Sequence, residues 1–166
     1  MNKNLKTIIE NIISQIEKYF KKRKIKVEFY SNIEKMQQAP LILLDIENIN
    51  CGESLGTEQT PLECHFIAFC ILNNNIKHGQ YAIRSFAADL ISLINENNWN
   101  LGDQANFPTN IESEIAVFNP NNDAVLCWQV EWTQTVYLGE NVWDSDGIVP
   151  TEVNVSFVPE IGEAHK

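Results

Sequence analysis

From Leu126 to Leu138 the chain alternates without a break. Leu126, Trp128, Val130, Trp132, Gln134, Val136 and Leu138 fall on one side, and Cys127, Gln129, Glu131, Thr133, Thr135 and Tyr137 on the other. A period of two is the pleat of a β-strand. One apolar side against one solvated side predicts an antiparallel sheet with helices on one face. A second strand, Leu62 to Leu72, repeats the pattern. Leu62, Cys64, Phe66, Ala68, Cys70 and Leu72 share one side, while Glu63, His65, Ile67, Phe69 and Ile71 share the other, which turns from polar to apolar along its length.

Such strands need cover, and two amphipathic stretches supply it. In residues 4–22, Leu5, Ile8, Ile9, Ile12, Ile13, Ile16, Tyr19 and Phe20 recur at helical spacing. In residues 80–97, Ile83, Phe86, Ala87, Leu90, Ile91 and Ile94 do the same. Ile25–Phe29 reads as a short strand. Pro40 disfavours helix at the residue before it, and Leu41–Ile46 opens a strand covered on both faces. This strand, taken as 41–50, and the one at 62–72 flank a single loop, so antiparallel pairing is expected. An Asn-rich connection over 95–110 leads to a strand at 111–118, a turn at 119–123 and the long C-terminal strand. Residues 153–158 offer a weak further strand.

The expected fold class is therefore α+β: an antiparallel or mixed sheet of four to five strands with two helices packed on one face. The chain reads as one domain over 1–166. Its core spans about 4–139, and 140–166 forms a loop, the weak strand and a loose tail.

The 166 residues suffice for a hydrophobic core. The formal charge of −10 sets the chain against phosphate backbones, so sequence-specific nucleic-acid binding is not expected. One basic knot stands out: Lys21, Lys22, Arg23, Lys24 and Lys26. It reads either as a helix C-terminus whose dipole favours cations or as a contact for an acidic partner surface. No apolar run approaches the roughly 20 residues that span a bilayer. The N-terminal stretch has no secretory pattern, so a cytoplasmic protein without membrane partners is expected. Of the four cysteines, Cys51, Cys64, Cys70 and Cys127, none forms a CxxC pair, and free thiols are expected.

Catalytic patterns are not apparent. His165 falls in the tail, His78 in a turn, and His65 on the polar side of a strand. Cys64 and His65 are adjacent on that strand and so point to opposite faces, which argues against a dyad or a shared metal. Asp144-Ser145-Asp146-Gly147 has the opening of a calcium loop without the later ligands, and the glycines at 52 and 56 lack the Lys-Thr of a phosphate loop. Glu112 and Glu114 share one strand face and read as solvated surface. The reading is a non-enzyme with no cofactor and no metal. Trp128 and Trp132 belong to the core, whereas Tyr137, Trp143 and Phe107 lie near loops, where aromatics mark protein interfaces. Glu53 and Glu58, in the Gly/Ser/Thr/Glu-rich loop 51–61, and Trp143 are the interface candidates.

The order of elements resembles the phage tail terminator group, including the minor tail protein U of lambda-like phages and the tail proteins of Mu-like prophages. The residues that carry it are an N-terminal amphipathic helix, a short strand, the proline-led Ala39-Pro40-Leu41-Ile42-Leu43-Leu44, a hairpin tip from Gly52 to Pro61, the strand Leu62 to Leu72, a helix from Gln80 to Asn97, and a closing hairpin ending in Leu126–Gln134. It covers residues 4 to about 139. The resemblance implies a ring-forming structural subunit, usually hexameric, that caps a finished tail tube and meets the head connector. It implies partners in the tail tube and head–tail connector proteins, and residence in the host cytoplasm and then the virion tail. The acidic charge would keep such a ring from trapping DNA in its channel. A second expectation, from another class, is a cytoplasmic binding module such as a toxin-immunity protein, which would remain a monomer or dimer.

Overall fold

The computed structural model describes residues 4–30, 39–116 and 124–143. The turn at 119–123, the Asp144–Gly147 segment, the weak strand at 153–158 and the tail lie outside the described residues. Among the described residues the elements run α1 (Leu5–Tyr19), β1 (Lys26–Phe29), β2 (Leu41–Cys51), β3 (Thr60–Asn73), α2 (Gly79–Ile94), β4 (Thr109–Ile115) and β5 (Val125–Leu138). The strands form one mixed sheet in the order β1-β2-β3-β5-β4. β1 runs parallel to β2, and every other neighbouring pair is antiparallel. Both helices pack on one face, giving the α+β fold expected from the sequence.

Helix α1 starts where Asn4 caps it, its side chain accepting a hydrogen bond from the Thr7 amide at 3.0 Å. Ile8, Ile12 and Ile16, one turn apart, are buried against the sheet. Each such burial contributes roughly 1.5–3 kcal/mol. The helix ends at Tyr19, three residues short of the periodicity's reach. The basic knot instead forms a 3-10 turn at Lys21–Arg23, closed by Lys24 at φ 53°. Likewise α2 stops at Ile94, because Glu96 turns into the left-handed region and the Asn97 side chain folds back to donate to the Leu93 carbonyl. Among the described residues no helix is long and apolar enough to cross a membrane.

The helix-facing side of β3 and β5 is the predicted stripe. Cys64, Phe66, Ala68 and Cys70 are buried, as are Val130, Trp132 and Val136. Phe66 stacks on Trp132 with ring centroids 5.1 Å apart. Trp128 is only half-buried, and the Arg84 guanidinium lies 4.6 Å from its ring centroid.

On the opposite face β2 and the end of β3 are covered as expected, whereas β5 departs from the expected solvated surface. This face is divided in two along the strands. At one end Leu41, Leu43 and Ile71 are buried among Tyr30, Phe69, Val125 and Cys127. Further along, Gln129 is buried, and Glu131, Thr133 and Thr135 are half-buried. Clean alternation in β5 thus marks one face as the more apolar without making the other fully solvated.

The Asn-rich connection also differs from a loose linker. Trp99 is fully buried, and its indole N–H donates to Gln134 Oε1 at 2.9 Å. Trp132 donates to the same oxygen at 3.2 Å. The Gln134 amide nitrogen donates to the carbonyls of Asn97 (3.1 Å) and Asn106 (2.7 Å). The Trp99 carbonyl in turn accepts from the side chains of Asn11 and Gln15 in α1. One buried amide therefore ties the connection, β5 and α1 together with all its hydrogen-bonding capacity in use.

Candidate functional site

The three interface candidates come together at the end of the sheet where β2 turns into β3. The loop over 52–59 makes this turn with Gly56 at φ 71° and Glu58 at φ 63°, a backbone region that glycine enters freely. The segment after β5 is braced against it. The Val142 amide donates to the Thr57 carbonyl at 3.2 Å, and the Gln59 side chain donates to the Gly139 carbonyl at 3.4 Å. The Trp143 indole N–H donates to the Gly56 carbonyl at 3.3 Å. Asn141 donates to Asp103 Oδ2 at 3.0 Å, which joins the 3-10 turn at Gly102–Gln104 to the same end. Glu53 and Glu58 are exposed on the first loop.

Trp143 is held by its nitrogen yet 78% exposed. Leu55, on the facing loop, is 62% exposed, and Phe107, after the 3-10 turn, is 59% exposed. Trp143 and Leu55 thus stand exposed on two loops that are braced against each other, and singly exposed apolar groups held in place in this way need little further ordering on contact. Leu55 was not among the residues singled out from the sequence. A leucine in a Gly/Ser/Glu loop has no element to pack in, and that isolation is the signal that marks it.

A second grouping lies on the sheet face away from the helices. His65 Nδ1 is 2.9 Å from Glu47 Oε2, and its Nε2 is 3.2 Å from Glu131 Oε2. Gln129 donates to both Glu131 and Glu114. Glu47 reaches the histidine because β2 carries a register shift between Ile46 and Asn48. Glu131 pairs with Ile67, which makes it a diagonal neighbour of His65. Alternation alone assigns the face but not the register, so this convergence was missed.

Among the described residues, Glu47, His65 and Glu131 are the group with the composition to hold a metal ion, their ligand atoms lying within 4.8 Å of one another. As placed, each imidazole nitrogen already faces a carboxylate. The arrangement places the imidazole between two carboxylates across three strands, and a metal would have to displace one of these contacts. The nearby Ser113 hydroxyl donates to the Gln129 carbonyl and accepts from the Trp128 indole, so its proton is committed to the backbone. Glu112 and Glu114 are exposed beside Glu131 and line a shallow polar cleft with it.

Three of the thiols, Cys64, Cys70 and Cys127, are held in their neutral form. Burial pushes Cys64 up to about 11 and Cys127 up to about 12, and Cys70 is raised further by burial and by its neighbour Cys127. Cys64 faces the core and His65 the opposite side, as the strand parity requires. No family model matches the chain, and no curated protein matches it in sequence.

Proposed function

We propose that this chain is a structural subunit that acts by binding and not by catalysis, and that it assembles with copies of itself into a closed ring of the tail terminator type, capping a tail tube and meeting a head connector. The observation that carries this reading is the braced end bearing Trp143, Leu55 and Phe107. Exposed aromatic and aliphatic side chains on rigid loops are the anchors from which protein interfaces are built. The order of elements, with a long β2–β3 hairpin and a closing β4–β5 hairpin, agrees with the order on which the resemblance to tail terminators rests and supports the same reading.

Light scattering of the full chain over a wide concentration range tests it. The expected outcome is a discrete ring, hexameric by the family resemblance, that does not grow further at high concentration. A chain that stays monomeric throughout overturns the ring and leaves a one-to-one binding module, such as a toxin-immunity protein, in its place.

A further inference from the structure

The charge of this molecule is sorted by position. The loops at the braced end, 52–59, 95–108 and 139–143, contain no lysine or arginine and carry the acids Glu53, Glu58, Glu96, Asp103 and Glu140. The knot Lys21, Lys22, Arg23, Lys24 and Lys26 is exposed at the start of β1. The register fixes where that is. Lys26 pairs with Leu41, and Leu41 with Ile71 near the end of β3, whereas Cys51 and Leu62 pair at the braced end. The two charged regions are therefore at opposite ends of β3, a strand of 14 residues, which spans roughly 45 Å. One copy cannot bring its own ends together.

The basic end also has a hollow. Beside the knot an apolar cleft of about 360 Å³ opens between α2, the 3-10 turn at Lys21–Arg23 and the sheet, lined by Arg23, Ile25, Leu72, Ile76, Ala82 and Phe86 among others. That volume is at the small end of ligand pockets, which run roughly 300–1,000 Å³. Trp143 at the acidic end supplies what such a cleft lacks: a large ring whose only polar hydrogen is already bonded to Gly56, leaving apolar faces for a partner to cover.

The geometry points to a second copy of this chain as the occupant: the acidic, Trp143-bearing end of one subunit docks on the basic-rimmed cleft of the next. This deepens the ring reading above and rests on it. A contact between two different patches is heterologous, so each docking leaves one free acidic end and one free basic end, and under the ring reading the rotation between successive copies closes the series. The basic knot follows directly on the end of α1, where its charge suits the helix dipole, and Arg23 pairs with Asp89 of α2; its exposed lysines are left to form the rim of the socket.

Charge reversal tests it on the full chain, with sedimentation velocity as the readout and circular dichroism as the check on folding. One variant carries Lys21→Glu and Lys22→Glu, a second carries Glu53→Lys and Glu58→Lys; all four side chains are exposed, so folding should be kept. Each variant alone is expected to need about 30-fold more protein to assemble, the loss typical of disabling an interface hot spot. An equimolar mixture of the two, and a chain carrying all four reversals, should recover assembly, because the opposite charges face each other again. Trp143→Ala should weaken assembly by a similar factor without recovery in either mixture.

If the unmodified chain forms rings and these variants form them equally well, the head-to-tail pairing is overturned while the ring reading stands. If the unmodified chain never associates, both fall together.

Discussion

Two polar networks hang from β5 on opposite faces of the sheet, and they are built to different rules. Gln134 lies on the helix side at 1% exposure, and every one of its contacts is a hydrogen bond to another buried or backbone group. Glu131 lies on the other side, half-buried, in a chain of polar contacts that runs from Glu47 through His65 to Gln129 and Glu114. The first network closes on itself and fixes where the 95–108 connection goes. The second is reached by water and binds side chains that have solvent as an alternative. Burial, and not the number of contacts, decides what each is worth: an orphaned buried polar group costs about 1–3 kcal/mol, while an exposed ion pair contributes about 0–1 kcal/mol.

The sharpest way to break this contrast is Gln134→Leu. It would strand the Trp99 and Trp132 indole N–H groups and two carbonyls at once, and a loss of about 3–5 kcal/mol in urea unfolding is expected. An unchanged midpoint would show that the buried amide is dispensable. A second, intermediate effect separates the faces by pH. The folded-state values of Cys64 and Cys70 are raised above their ordinary 9.0, so they favour the folded form most below that value. Unfolding stability should be level up to pH 9. It should then fall between pH 9 and about 11, by at most about 1.4 kcal/mol per pH unit for each thiol, as the unfolded chain ionises first. Replacing both by alanine should reduce that slope at some cost in packing, with Cys127 still contributing because its value is raised too, and a slope that survives intact would assign it to other groups. The smallest effect belongs to the open face. His65→Ala at neutral pH should cost no more than about 1 kcal/mol, and a loss as large as that of Gln134→Leu would mean that the carboxylate bridge is as structural as the buried amide.

The strands and helices were legible because parity and helical spacing survive any tertiary arrangement. Phe66 and Trp132 could be assigned to one face of the sheet from the sequence alone. What was not legible depended on register or on single side chains reaching across the fold. The Asn-rich connection read as loose because asparagine is a turn former. Here Asn97 and Asn106 offer carbonyls to Gln134, and the positive φ of Trp99 turns its ring inward. The clue was Gln134 itself, an amide on a stripe otherwise reserved for apolar side chains, which demands buried partners. At the braced end, Glu53, Glu58 and Trp143 were chosen one by one as loop residues. That two separate loops carry them side by side follows from the Val142–Thr57 and Trp143–Gly56 hydrogen bonds, which have no signature in the sequence.

Strand β4 is the outermost on its side of the sheet, with a register irregularity between Thr109 and Glu112 and with Glu112 and Glu114 exposed along it. An outer strand ordinarily invites another to zip onto it, and a chain left with an open edge can be lost to fibres. Two carboxylates at alternate positions make the meeting of two such strands repulsive, and the irregularity spoils their match. Among the described residues, this edge of the sheet is thereby a poor template for a further strand.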